Sequence, residues 1–409
     1  MRYAPFLILV VVVVIVAVAL AGGNDRKKIV TPPPNAENVP VQYQQAQAAG
    51  ALGQYTWQDH CDKTTGRVAV PMLDPAPCVP KFTGDNGGAT SLGVTADTIR
   101  IGYYVAKPDP LYDFVLKQAG AYDPPDQIAA TAIGYAQILA SQYELYGRKI
   151  QMIRIDGSGP QTDGNAAKID ADKAAKQFKV FAVVGGPAQT PAFAQELAAN
   201  HVLCIGTCII AQPERFYSEH SPYMWPVGPS PEQSSAMLVE FLKKQLIGKD
   251  AIYAGDPAFR NKTRTFALLT YDTPDGQFKA AWDHFEQILK DAGVNIVLHK
   301  SYFLDVNALA QTGHDVGVAL KRANATSVIF TGDPIIPKYF TDEADTQGYF
   351  PEWIMAGTVF ADTSVFARTF DQKEWAHAFG LQLTPARVNK EQNNAYLLYK
   401  WWFGTAPPA

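Results

Sequence analysis

The residues able to do chemistry in this chain sit where apolar runs stop. Thr98-Ile-Arg-Ile-Gly-Tyr-Tyr-Val105 breaks at Ala106-Lys107-Pro108, Val180-Phe-Ala-Val-Val184 runs into Gly185-Gly-Pro-Ala-Gln189, and Thr326-Ser-Val-Ile-Phe-Thr331 runs into Gly332-Asp333. A glycine at a strand end lets the backbone approach a ligand, and the amide groups of a following helix N-terminus attract an anion. An aspartate such as Asp333 supplies charge for a cationic group, and Tyr103, Tyr104 or Tyr271 offers apolar area with a polar tip. The same glycines also serve as turn residues and the same aspartates as helix caps. Either way the pattern is one of binding rather than bond-making. There is no Gly-x-Ser-x-Gly elbow and no P-loop lysine, and the 7 histidines form no metal-ligand pattern. Val184-Gly-Gly-Pro187 lacks the spacing of a dinucleotide loop, and Asp272 with Asp275 reads as turn or capping residues. The expectation is a protein that is not an enzyme and takes no cofactor.

The 4 cysteines, Cys61, Cys78, Cys204 and Cys208, allow three connectivities. Spacing suggests local pairs, Cys61 with Cys78 and Cys204 with Cys208, which suits an oxidising extracytoplasmic compartment. Buried free thiols are the alternative. A zinc site is disfavoured, because only Cys204 and Cys208 are spaced like a ligand pair and no second close pair completes them.

Residues 5–23 are an unbroken apolar run preceded by Arg2. As a helix the run would span about 28 Å, near the thickness of a bilayer core. It reads as a signal peptide, with Ala19-Leu20-Ala21 as a cleavage site, or as a membrane anchor. Thr31-Pro-Pro-Pro34 and the Gln/Ala stretch to Gly50 read as an extended spacer. Beyond it, 47% hydrophobic and 18% charged residues give material for two cores. A net charge of -4 gives no electrostatic footprint for nucleic acid.

From residue 97 the periodicity alternates between strand and helix. Strands are expected at 98–105, 149–155, 180–184 and 202–210, with helices at 127–146, 167–177 and 191–200 between them. The proline-rich stretch 221–231 reads as a turn region that separates a second series. Its strands are expected at 265–270, 295–299, 326–331 and 353–357, and its helices at 232–246, 277–292 and 316–323. Such alternation predicts parallel strands joined by crossover helices. Two α/β lobes form a cleft architecture, and ligands bind beyond the carboxyl ends of such sheets.

At this point the motifs carry a resemblance. In order and spacing, Gly93-Val-Thr-Ala-Asp-Thr-Ile-Arg-Ile-Gly102, Tyr146-Gly-Arg-Lys-Ile150, Val180-Phe-Ala-Val-Val-Gly185 and Asp291-Ala-Gly293 resemble the type I periplasmic solute-binding proteins of branched-chain amino acid ABC transporters. The segment with Cys61, Cys78 and Asp85-Asn-Gly-Gly88 resembles a cysteine-bearing extension of actinobacterial members. The resemblance implies an α/β, two-lobed clamshell, each lobe a parallel sheet flanked by helices. It divides the chain into a signal or anchor (1–23), a spacer (24–56), the extension (57–92), a first lobe (93–225 and 380–409) and a second lobe (226–379). It implies an extracytoplasmic protein, membrane-anchored or secreted, that captures a small polar solute for an ABC permease. A ligand-sensing ectodomain of a membrane-anchored receptor is the alternative.

Matched strand end to strand end, the resemblance implies first-lobe contacts at Ala106 and Lys107, at Gly186, Pro187, Ala188 and Gln189, and at Gly206 with Thr207. In the second lobe it implies Asp272, Thr273 and Gln277, then Gly332 with Asp333, and Thr358 or Asp362. Two departures stand out. Gly186-Pro-Ala-Gln-Thr190 replaces the serine-rich turn of the amino-acid binders, and the first strand ends at Lys107, so a branched-chain amino acid does not follow. After Phe379-Gly-Leu-Gln-Leu-Thr384, read as a strand returning to the first lobe, only one aromatic segment with Trp401, Trp402 and Phe403 follows, which suggests a shortened member.

Overall fold

The computed structural model describes residues 40–408 except 111–112, 114–115, 118–119, 121, 188, 207, 209–211, 273–278, 306, 358–360, 362 and 383–387. The apolar run at 5–23, read as signal or anchor, therefore lies outside the described residues. Among those described, no helix is long and apolar enough to cross a membrane.

The described residues up to Gly84, with Gln142–Tyr146, form a small compact unit. It holds helix α1 (Tyr43–Ala48) and the two-residue antiparallel strands β1 (Cys61–Asp62) and β2 (Arg67–Val68). The Gln/Ala stretch read as spacer is thus partly helical: alanine and glutamine are good helix formers, and Tyr43 and Ala46, one turn apart, are both buried. Few apolar residues are available to such a unit, and a disulfide compensates. Cys61 and Cys78 are bonded with their Cα atoms 5.6 Å apart, closing a loop of sequence separation 17. Tyr43 packs on Trp57 with ring centroids 4.8 Å apart.

Asp85–Ser141 and Gly147–Ala409 form the larger unit, built on two five-stranded parallel sheets. The first contains β3 (Thr98–Val105), β4 (Lys149–Asp156), β5 (Ala182–Val184), β6 (Leu203–Gly206) and β7 (Met224–Pro226), in the order β4-β3-β5-β6-β7. Helix α2 (Pro125–Ala140) joins β3 to β4, α3 (Gly164–Asp172) leads to β5, and α4 (Ala192–Ala199) leads to β6. The α3/α4 side is mainly apolar, with Val183, Phe193, Leu197 and Val202 fully buried beside the buried carboxylate of Asp170. β7 lies inside the stretch read as a turn region. As an edge strand it tolerates proline, and Pro226 sits opposite Gly206. The short α5 (Glu214–Glu219) precedes it.

The second sheet contains β8 (Phe266–Tyr271), β9 (Ile296–Tyr302), β10 (Ser327–Thr331), β11 (Glu352–Ala356) and β12 (Ala378–Leu381), in the order β12-β11-β10-β8-β9. Neighbouring residues point to opposite faces. Leu268, Ile329 and Ile354 therefore meet α6 (Pro231–Gln245) and α7 (Lys279–Asp291), through Leu238, Leu242 and Leu289. Leu269, Val328 and Trp353 meet α8 (Leu309–Ala323) and α9 (Pro337–Thr346), through Val316, Leu320 and Phe340. Short helices α10 (Ser364–Ala367) and α11 (Gln372–Trp375) follow β11.

The expected return strand does not join the first sheet. Phe379 to Leu381 pair in parallel with Ile354 to Ala356 of β11, because Phe379 and Leu381 extend the apolar face already covered by α6 and α7. The chain goes back only afterwards, where α12 (Asn394–Phe403) lies against α2 through Tyr135 Oη donating to Ala395 O at 2.9 Å.

At the amino ends of β8, β10 and β11 the second sheet is tied by a buried ion pair. Glu352 accepts from Arg264 Nε at 2.8 Å and Nη2 at 2.9 Å, from Ser327 Oγ at 2.6 Å and from the Tyr253 amide at 3.1 Å. Both side chains are excluded from solvent, so every one of these bonds offsets desolvation.

Candidate functional site

The carboxyl ends of the two sheets hold the residues singled out in the sequence. At the first, Ala106 is half-buried against the core and Lys107 is exposed. Gly185 has φ +79° and Gly206 φ +81°, left-handed conformations that favour glycine at the ends of β5 and β6. Gly186 is small for another reason: a Cβ there would lie 2.6 Å from Cys208 O. The Cys204–Cys208 disulfide, with Cα atoms 5.9 Å apart, holds that carbonyl in the turn after β6. Protein backbone thus occupies the Cβ direction of Gly186. Pro187 is buried, Gln189 is half-buried, and Ala188 and Thr207 lie outside the described residues.

Tyr104 is a correction. Its ring faces the core against Phe193, centroids 4.9 Å apart, and its hydroxyl donates to Asp170 Oδ2 at 3.1 Å. Burial, then the Asp170 charge, pushes the phenol well above its ordinary value. It has no part in a rim facing solvent.

At the second sheet the geometry converges on Tyr302, which sequence reasoning missed. Its carbonyl accepts from the Asp272 amide at 2.7 Å. Its hydroxyl donates to Asp333 Oδ2 at 2.7 Å and accepts from the Asp333 amide at 3.2 Å. Gly332 permits this: a Cβ there would lie 2.1 Å from that hydroxyl. The other oxygen, Asp333 Oδ1, accepts from the amides of Ile335 at 2.7 Å and Ile336 at 3.0 Å, fixing the turn that enters α9. Both readings of Asp333 therefore meet in one residue, since the carboxylate is a cap and stands at a strand end. Burial raises its pKa, opposed by the donors around it.

A carboxylate offers about four lone-pair positions, and these contacts take three of them. Its own amide also lies near enough to favour the charged form, so the carboxylate's orientation is fixed by its neighbours. Asp272 is buried behind the rim, and Tyr271 is half-buried with its carbonyl accepting from Trp282 Nε1 at 2.5 Å. Thr273, Gln277, Thr358 and Asp362 lie outside the described residues. No local signal marks Tyr302 in the sequence, because its role depends on β9 lying beside β8 with β10 beyond.

Among the described residues no group of three or more His, Cys, Asp or Glu side chains is arranged to hold a metal ion. Chemically, the first rim supplies backbone groups and one lysine, and the second supplies an oriented carboxyl group. That combination can hold a polar molecule, and the described side chains include no paired nucleophile and base at these rims.

Residues 119–380, well over half of the chain, match the family model described as periplasmic binding protein, and the chain belongs to that family. No curated protein sequence matches it. Among solved structures it is similar to an ABC transporter substrate-binding protein of Aeropyrum pernix, with TM-score 0.53 and 12% identity, over 75% of this chain and 72% of that one. It is also similar to an extracellular ligand-binding receptor of Rhodopseudomonas palustris HaA2, with TM-score 0.50 and 14% identity, over 76% and 77%. A solute-binding protein of R. palustris crystallised with 4-hydroxybenzoate shows TM-score 0.43 and 15% identity, over 63% of this chain. The chain spans 61% of that protein's length. The fold is the two-lobed α/β arrangement of the type I periplasmic binding proteins.

Proposed function

We propose that this chain is the extracytoplasmic solute-binding component of an ABC importer, and that it captures a small polar solute between its two lobes. The observation that carries the reading is the Tyr302–Asp333 pair. A carboxylate held in one orientation by its donors at the carboxyl end of a parallel sheet is the preorganisation a binding site requires. Opposite it in function stands the first rim, with Lys107 and the main-chain groups at Gly185, Gly186 and Gly206 as the contacts for an anionic group. Thr207, Thr273, Gln277, Thr358 and Asp362 belong to the same proposed set by their places in the sequence.

Binding to both rims at once would favour the closed form over the open one. The reading is tested by thermal denaturation of the full chain against amino acids, amides and short carboxylic acids, because a ligand of the native state raises Tm by mass action. A shift with one chemical class, lost in Asp333→Asn and retained in Asp74→Asn in the smaller unit, supports it. A shift that survives both Asp333→Asn and Lys107→Gln places binding elsewhere and overturns it.

A further inference from the structure

At the opposite end of the first sheet lies a cavity of about 390 Å³ at the amino end of β3. Its wall includes Ser91, Thr95, Thr98, Gln151, Arg100 and Lys179, and no carboxylate lines it. Two features of the fold bring its cations together. Gly93, φ +72°, lets the turn before β3 lie against the chain leading into β5, since a Cβ there would meet Phe181 N at 2.3 Å and Lys179 O at 2.7 Å. Arg100 Nη1 donates to Phe178 O at 3.3 Å, tying the guanidinium to the residue just before Lys179, and both residues line the cavity.

The cations are under-used where they stand. Arg100 makes one further bond, Nε to Gln151 Oε1, also at 3.3 Å, and neither side chain takes part in an ion pair among the described residues. Lys179 occupies φ +50°, a conformation uncommon for a residue with a side chain, at the rim of this cavity. A cavity wall that includes an arginine, a lysine and hydroxyl-bearing residues suits a tetrahedral oxyanion, for which arginine and lysine supply complementary donors.

We propose that this cavity binds a phosphate group, independently of the solute site. The chemistry is the same whether the group belongs to a free phosphate or to a phospholipid head, and two arms of one experiment separate them. The full chain is titrated with inorganic phosphate against chloride at matched ionic strength, reading Tm and 31P line width. It is also sedimented with phosphatidylglycerol and with phosphatidylcholine vesicles. Phosphate binding that weakens about tenfold in Lys179→Gln and is lost in Arg100→Gln/Lys179→Gln is the expected result, a tenfold change corresponding to about 1.4 kcal/mol. Lys179 is exposed, so its single variant tests the site without disturbing the fold. Sedimentation with phosphatidylglycerol alone, without response to inorganic phosphate but lost in the same variants, assigns the lipid head as the source. Neither response, or a response unchanged in Lys179→Gln and in the double variant, overturns the proposal.

Discussion

Glu374 should make the stability of this protein fall as pH rises through neutrality. The side chain is fully buried on α11, where Oε2 accepts from Trp353 Nε1 at 2.9 Å and Oε1 meets no donor among the described residues. Burial, then the charges of Asp371 and Asp345, pushes its pKa up to about 8, against the lowering effects of the Trp353 bond and of Lys373. In the unfolded chain the group returns to 4.5. Between those values the folded state holds a proton that the unfolded state has lost. The stabilisation is therefore complete below pH 4.5 and disappears as pH rises through about 8. At about 1.4 kcal/mol per pH unit the whole effect is on the order of 5 kcal/mol. Glu374→Gln keeps an acceptor for Trp353 and removes the titration. Urea denaturation at pH 5 should find wild type and variant within about 1 kcal/mol, and at pH 9 the variant more stable by several kcal/mol. A difference that stays the same at both pH values would refute the reasoning.

Three other perturbations have defined outcomes. Arg264→Met leaves Glu352 charged in a dry site and should cost about 3–5 kcal/mol in urea denaturation, whereas the double variant Arg264→Met/Glu352→Leu should recover much of the loss. Gly186→Ala drives a methyl group into Cys208 O and should lower stability by about 1–3 kcal/mol, seen as a lower Tm. Tyr302→Phe removes the donor to Asp333 Oδ2, so the carboxyl pKa should rise further, measurable by side-chain NMR titration.

Much of the fold was legible because the strands are apolar and evenly spaced. Thr98–Val105 was read with its observed bounds, since a polar turn precedes it and Lys107-Pro108 ends it. β7 was not, because Met-Trp-Pro lies among prolines, and only its edge position beside β6 makes it a strand. β12 was seen as a strand but assigned to the other sheet, since strand order depends on which helices cover which face. The local cysteine pairs followed from spacing. Arg264 with Glu352 could not, being 88 positions apart and joined only when β8, β10 and β11 align. The rims were legible as places and less so as chemistry. Gly186 and Gly332 were read as glycines that let the backbone approach a ligand, and the structure adds a packing reason for each, since the backbone of Cys208 and the hydroxyl of Tyr302 lie where a Cβ would be.

The place of β12 also governs the mechanics of the larger unit. The chain leaves the first sheet after Pro226, enters α6 at Pro231, and comes back between Leu381 and Asn394. Two covalent tethers between two stiff bodies act as the pins of a door. Beside the first pin the Glu214 amide donates to Glu232 Oε2 at 3.2 Å and Ser230 Oγ to Glu214 Oε1 at 3.3 Å, so rotation about the line through the pins works against these contacts, while twist and slide are resisted at both pins. Relative motion of the sheets should therefore follow mainly one angular coordinate, and one pair of fluorescent labels placed far from the pins would report it.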